Sequence, residues 1–436
     1  MLKFYNREKE IALLREIEER SRTYSQMTML VGRRRVGKTT LLRNAFADDN
    51  TLYFFITKKT EPLLCEEFAR EANEKLSLAL GSYTSFAKLF KALMIEAQKR
   101  HFTLIVDEFQ DFAKINPAVF SEIQNIWDSN KDKAKINVIF CGSIYSIMKK
   151  IFEHSKEPLF GRITARLVLK PFELNVIRQI LSEYNPNFKN EDLLAFYLVT
   201  GGIARYMEEL LTNRAFTKKK IFDAILWQGS YFIEEGRTVL IDEFGSDYGN
   251  YFSILSLIAS GKTSRGEIES VMNISIGGFL DRLENEYNVI KKNRPFLAKE
   301  GSKDVKFKMK DNFLSFWFRF IYKYRSAVEI GNFDYVRGIV ERDYETYSGL
   351  ILERYFRQKL IESKQFSDIS AYWNRKGENE IDIIAVNEME KRLVFYEVKR
   401  NKKRISIPVL QKKSTEIAKN YPDFNIEYQG LSIEDM

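Results

Sequence analysis

The segment Gly32-Arg33-Arg34-Arg35-Val36-Gly37-Lys38-Thr39 has the spacing G-x-x-x-x-G-K-[ST]. Glycines at both ends let backbone N–H groups curl around phosphate oxygens, and a helix beginning at Lys38 would aim its positive end at them. Lys38 then reaches the β- and γ-phosphates, Thr39 binds Mg²⁺, and Thr40 opens the helix behind them. The chemistry is ATP binding with Mg²⁺, and the binding set is Gly32, Arg33, Arg34, Arg35, Val36, Gly37, Lys38, Thr39 and Thr40.

A second element, Phe102-Thr103-Leu104-Ile105-Val106-Asp107-Glu108, is an apolar run ending in two carboxylates and looks like a Walker B strand. Asp107 would hold Mg²⁺ through water while Glu108 orients and deprotonates the attacking water, so hydrolysis needs both acids. Alone, such a pair is more often a solvated strand end; the loop upstream reverses that balance. Ser143, after the next apolar run, could stand near the γ-phosphate, and Arg162 could supply positive charge to the transition state. The plain alternatives are a turn serine and a surface arginine.

A third group lies near the C-terminus, where Asp382, Glu397 and Lys399 have the spacing D-(x14)-E-x-K. Residues i and i+2 of a strand share a face, so Glu397 and Lys399 point together, and a hairpin through 387–392 can bring Asp382 beside them. Asp382 and Glu397 could hold Mg²⁺ while Lys399 positions a water against phosphorus. The five basic residues of Lys399-Arg400-Asn401-Lys402-Lys403-Arg404 follow directly and could meet a phosphate backbone, though such a run is commonly a solvated surface.

These groups need elements to position them. Apolar strand candidates at 27–31, 52–56, 102–106 and 136–140 alternate with helical stretches near 8–21, 61–79 and 84–100, which predicts a parallel α/β sheet. Beyond about 170 the pattern turns helical, broken at Thr200-Gly201-Gly202. From 248 to 310, three helices and the alternating Lys306-Phe307-Lys308-Met309 predict a winged helix, with 276–287 as recognition helix and Lys291, Lys292 and Arg294 in its turn. Asp281, Glu284 and Glu286 weaken major-groove reading by that helix and leave a protein contact as an equal alternative. The aromatic stretch 313–324 reads as core before stacking platform, and strands are expected at 381–386 and 393–398.

The chain has 436 residues, enough for two to four domains at about 150 residues each. With 44% hydrophobic residues and only 21 Gly and 8 Pro, disordered and linker-rich architectures are excluded. Net charge of +9 permits nucleic-acid binding without demanding it. Cys65 and Cys141 are the two cysteines, and with two histidines they leave little for a disulfide framework or a zinc site. A charged N-terminus and the lack of any 18-residue apolar run predict a cytoplasmic protein without membrane contact.

Phe4-Tyr5-Asn6-Arg7-Glu8-Lys9-Glu10, the loop 32–39, Val106-Asp107-Glu108, Leu159-Phe160-Gly161-Arg162, Pro171-Phe172 and Thr200-Gly201-Gly202-Ile203 together resemble the archaeal-type ATPase family among AAA-like, STAND-related P-loop proteins. The family usually carries Pro where this chain has Ala204. The resemblance implies that Arg162 senses nucleotide, in its own chain or in a neighbouring copy. The C-terminal spacing resembles the PD-(D/E)XK nuclease superfamily, with Ile381 in place of the leading Pro, and implies a further acid at Glu353.

The expected architecture is α/β, a P-loop NTPase parallel sheet with helical lid, followed by a winged helix and a small α/β nuclease-like domain. Its divisions fall at 1–172, 173–245, 246–312 and 313–436. The function expected is an ATP-hydrolysing switch joined to a nuclease-like domain that engages nucleic acid, DNA foremost, with room for a second copy of the chain. The alternative is an ATP-controlled scaffold for a protein partner, with the nuclease-like domain catalytically silent.

Overall fold

A computed structural model describes residues 3–47, 50–244, 248–299, 301–374 and 379–436. The expected boundary at 245/246 and Arg375, Lys376, Gly377 and Glu378 of the expected C-terminal strand region lie outside the described residues. The chain divides into two compact units, Phe4–Lys170 and, apart from the extreme N-terminus, Pro171–Met436.

In the first unit the strands β1 (Gln26–Gly32), β2 (Thr51–Phe55), β3 (Phe102–Asp107), β4 (Ile136–Gly142) and β5 (Ala165–Leu169) pair in the order β2-β3-β4-β1-β5. All pairings are parallel. Every residue of β1, β3 and β4 is buried, as a parallel sheet covered by helices on both faces requires. Side chains alternate between two core layers, Met27, Met29 and Val31 entering one and Leu30 the other. The larger layer is aromatic, with Phe54 stacked on Phe68 at 4.3 Å between centroids and Phe109 against Phe140 at 4.0 Å. Because β4 lies between β1 and β3, the C-terminal ends of β1 and β3 open on the same edge, one strand apart.

The second unit begins with the helices Leu174–Tyr184, Asn190–Thr200, Ala204–Thr212, Lys218–Ile225 and Tyr231–Phe244. Gly201 and Gly202 break the second from the third with φ of 53° and 80°. A Cβ on Gly202 would stand 2.5 Å from the Phe172 carbonyl, so that approach needs glycine. Ala204 is the first residue of its helix, a position that proline also suits.

Helices Tyr248–Ala259, Arg265–Met272 and Gly277–Asp281 follow, the last continuing as a π turn over Arg282–Glu286. Strands β6 (Ile290–Asn293) and β7 (Lys306–Met309) then form an antiparallel ribbon. Lys291 and Lys292 lie in β6, not in its turn, because the ladder with β7 begins at Ile290. The aromatic stretch is core: Phe313, Phe316, Trp317, Phe318 and Phe320 are all buried.

A long helix, Phe333–Ser363, leads to a second sheet of β8 (Asp368–Trp373), β9 (Glu380–Asn387), β10 (Arg392–Val398) and β11 (Asn425–Leu431), ordered β11-β10-β9-β8. The helix Ile407–Ala418 connects β10 to the parallel β11. Its Leu410 and Ile417 pack with Ile384, Val386, Leu393 and Phe395 as the core of this sheet.

Candidate nucleotide site and C-terminal carboxylate centre

Gly37 takes φ 100° and Arg35 φ 73°, which bend the chain leaving β1 back toward the sheet edge before the helix Lys38–Ala45 starts. Gly32 is required by space, since a Cβ there would stand 2.8 Å from the Leu169 carbonyl. Lys38 is buried, and its ammonium donates to the Gly32 carbonyl at 2.8 Å, inside the loop. Arg33 and Arg34 are half-buried, Thr39 and Thr40 exposed at the helix start, and Val36 anchors the loop in the core.

Thr39 Oγ1 donates to Asp107 Oδ2 at 3.2 Å. The same carboxylate oxygen accepts from the Tyr53 hydroxyl, and the Glu108 N–H donates to Oδ1 at 2.9 Å. Burial, then the Asp107 charge, pushes the Tyr53 hydroxyl far above the usual phenol range, so it remains a donor. Burial and Asp107 likewise raise the Cys141 thiol. Thr39 and Asp107 are hard oxygen donors facing each other at the mouth of the loop, and that chemistry fits Mg²⁺.

Glu108 adopts φ 55° and so turns off the line of β3. Its Oε2 accepts from Ser143 Oγ at 2.7 Å and from the Gln110 amide. The carboxylate is therefore held by two neutral donors beside Asp107. Tyr53 and Gln110 were not singled out by the sequence reading. An aromatic in an apolar run reads as core, and the signal for Gln110 is only its nearness to Asp107-Glu108.

Arg162 does not join this group. Its guanidinium donates to Asp128 Oδ2 at 2.9 Å and to the Phe160 carbonyl at 2.8 Å. Thr164, two residues on, bonds Met27 at the start of β1, whereas the loop leaves β1 at Gly32. Five residues of strand at about 3.3 Å each put Arg162 roughly 16 Å from the loop of its own chain.

In the second unit, the β9–β10 register pairs Ile383 with Tyr396, so the next position sets Asp382 opposite Glu397. Asp382 Oδ2 accepts from the Val398 N–H at 2.8 Å and from Lys399 Nζ at 3.3 Å. Lys399 Nζ is 3.7 Å from Glu397 Oε1, and Glu397 Oε2 accepts from the Ser406 N–H at 2.7 Å. Burial works against the Lys399 charge, but the Asp382 and Glu397 carboxylates outweigh it and raise its pKa. Burial first and the Asp382 charge second push Glu353 up to about 7.

Asp382, Glu397 and Glu353 supply oxygen donors of the type Mg²⁺ takes. The Lys399 ammonium reaches both strand carboxylates, and among the described residues no group of three or more His, Cys, Asp or Glu side chains is arranged to hold a metal. The donor chemistry fits; the arrangement is an ion-paired cluster.

The basic run divides. Arg400 turns inward to Glu191 Oε2 and Ser348 Oγ, each at 2.7 Å, while Lys402, Lys403 and Arg404 are exposed.

Residues 4–210 match the profile of a family described as ATPase domains predominantly from Archaea. Residues 4–210 are thus similar to archaeal-type ATPase domains. Residues 317–416 match a second profile, of archaeal and bacterial proteins of unknown function. An uncharacterized protein of Methanocaldococcus jannaschii is 29% identical over 406 residues, 91% of this chain and 87% of its own. The Walker-type ATPase of Pyrococcus abyssi has a similar fold, with TM-score 0.54 and 18% identity over 72% of this chain and 96% of that one. The ORC2 protein of Aeropyrum pernix, solved as ADPNP-ADP complexes, follows at TM-score 0.50 and 13% identity over 75% of this chain and 95% of that one. The first unit thus has the P-loop fold of these neighbours, and the chain continues into a small sheet-containing C-terminal region. Among the described residues no helix is long and apolar enough to cross a membrane.

Proposed function

We propose that the chain hydrolyses ATP in its first unit and that this cycle controls a nuclease-like centre acting on nucleic acid, DNA foremost, in its second. The observation that carries the reading is the convergence of Asp382, Glu397 and Lys399 from adjacent strands in a chain that also holds a P-loop.

At the first site, backbone N–H groups of Gly32 to Thr40 bind the phosphates and Lys38 leaves the Gly32 carbonyl to bridge the β- and γ-phosphates. Thr39 and Asp107 would hold Mg²⁺, which neutralises the charge developing on the phosphates. Glu108, steadied by Ser143 and Gln110, takes the proton of the attacking water. Arg162, too far from its own loop, is assigned to the nucleotide of a second copy of the chain.

At the second site, Asp382 and Glu397 would hold Mg²⁺, which polarises the phosphodiester, and Lys399 swings from the carboxylates to orient the water. The division adopted is an ATPase core to 172, a helical lid to 245, a winged helix to 312 and a nuclease-like domain beyond. Lid and centre are tied within one compact unit by Arg400 on Glu191 and by Tyr197 on Gln358 at 2.7 Å, so displacement of the lid helices is transmitted to the centre. The compartment is taken to be the cytoplasm.

A second reading is favoured by the Lys399 ammonium bonded to Asp382 and close to Glu397: a silent centre, with ATP state controlling a protein partner. Phosphate release in Glu108→Gln and DNA scission in Asp382→Asn separate the two. Loss of each activity in its own variant supports the first; ATP turnover without scission in any metal supports the second.

A further inference from the structure

We propose that Lys291 and Lys308 of the β6–β7 ribbon, with Arg354 and Arg357 of the helix Phe333–Ser363, form an anion site beside the carboxylate centre whose ligand is a nucleic-acid backbone phosphate. The choice of ligand rests on the phosphodiester reading above.

The register sets Lys291 opposite Lys308, so both side chains leave the ribbon on one side, while Ile290, Phe307 and Met309 are buried on the other. Lys306 shares the lysine side, ion-pairs Glu380 at 3.0 Å and lies 4.7 Å over the Trp373 ring. The lysine face is thereby turned toward β8 and β9. Arg354 reaches the ribbon itself, donating to the Met309 carbonyl at 2.9 Å and to Asn312 Oδ1. Arg357, one turn along the helix, donates to the Asp382 carbonyl at 3.1 Å and to the Ile369 carbonyl at 3.0 Å. The cations therefore adjoin the residue that carries the centre.

Their charge is matched only in part: Glu353 acts on Lys308 and Arg357, and Asp368 and Asp382 act on Arg357. Arg354 and Arg357 end on carbonyls and an amide, and neither lysine ammonium makes a hydrogen bond or ion pair with a described residue. Burial, then the charges of Arg354, Arg357 and Lys308, lowers Lys291 to about 8. Burial also lowers Lys308, and the Glu353 carboxylate opposes this. Half-buried ammonium groups without a direct hydrogen bond or ion pair are a cost that an anion removes. A phosphodiester supplies one negative charge and oxygen acceptors for both ammonium and guanidinium groups.

The test is fluorescence anisotropy of a short labelled duplex with the full chain across a salt series, comparing wild type, Lys291→Gln with Lys308→Gln, and Lys291→Arg with Lys308→Arg. The proposal expects binding weakened about tenfold in the lysine pair, with the log–log salt slope reduced by about 2. Lys291→Arg with Lys308→Arg restores wild-type affinity and slope. Wild-type affinity and slope in the glutamine pair, or no duplex binding by the wild type, overturns the proposal. Failure of the nuclease reading shows separately, as duplex binding without scission. The glutamine pair removes two half-buried charges that make no direct bond and should melt no lower than wild type, which distinguishes lost binding from lost folding.

Discussion

Thr39 and Asp107, 68 positions apart in the chain, meet at 3.2 Å between hydroxyl and carboxylate. One stands at the first turn of the helix after β1 and the other at the end of β3, and the intervening β4 sets their separation. The Tyr53 hydroxyl from β2 closes on the same carboxylate oxygen, so three elements fix one side chain before any nucleotide arrives. Preorganisation of this type lowers the reorganisation needed at the reacting phosphate.

Tyr53→Phe removes that third contact without emptying the space. Loss of one hydrogen bond to a charged group, about 1.5–3 kcal/mol, should raise the Mg²⁺ concentration needed for half-maximal ATP hydrolysis by about 10- to 150-fold. The maximal rate should fall much less. A variant with an unchanged Mg²⁺ requirement would leave Tyr53 a packing residue.

Lys38→Ala and Glu108→Gln should separate binding from hydrolysis. Lys38→Ala is expected to abolish detectable binding of a fluorescent ATP analogue. Glu108→Gln should retain binding and lose about 10²–10⁴ in turnover, the span of a general base. Equal turnover in Glu108→Gln and wild type would move the base elsewhere.

Much of the first unit was legible because a sheet buried on both faces writes its strands as continuous apolar runs, as at 27–31 and 102–106. The loop and the Asp107-Glu108 pair were legible because phosphate chemistry needs fixed residue types at fixed spacing. Asp382, Glu397 and Lys399 could be matched because a strand's period of two and one hairpin determine who faces whom.

What escaped depended on distant partners. Arg400 reads as one member of a basic run, yet its partner Glu191 lies 209 positions away. Arg162 could not be located against the loop until β1 and β5 were paired. The strand β11 carries polar and half-buried residues throughout and shows no clean apolar period. Lys291 looked like a turn residue because the ribbon's loop is long and β6 short.

Arg400→Ala should cost stability, not nucleic-acid affinity. It breaks an ion pair with Glu191 and a hydrogen bond to Ser348, for a loss of about 1.5–3 kcal/mol by hydrogen bonds to charged groups. Urea denaturation reads the loss directly. Joint replacement of the exposed Lys402, Lys403 and Arg404 by Gln should leave stability unchanged and weaken duplex binding. The reverse pattern would refute the inward placement of Arg400.

Glu353 gives the second unit a pH signature. Its folded pKa of about 7 exceeds the ordinary 4.5, so between those values the native state binds more protons than the unfolded state. The stability it contributes is full below about 4.5 and is lost as pH rises through about 7. Thermal midpoints of wild type should therefore fall across that window relative to those of Glu353→Gln, which keeps a neutral side chain throughout. Parallel curves for the two proteins would contradict the assignment.

The most direct test is plasmid nicking by the purified full chain with Mg²⁺ or Mn²⁺, with and without ATP, beside Asp382→Asn. Metal-dependent nicking that vanishes in Asp382→Asn while ATP hydrolysis persists is the predicted result. Intact ATP hydrolysis with no nicking by the wild type under any of these conditions would contradict the account and leave the scaffold reading.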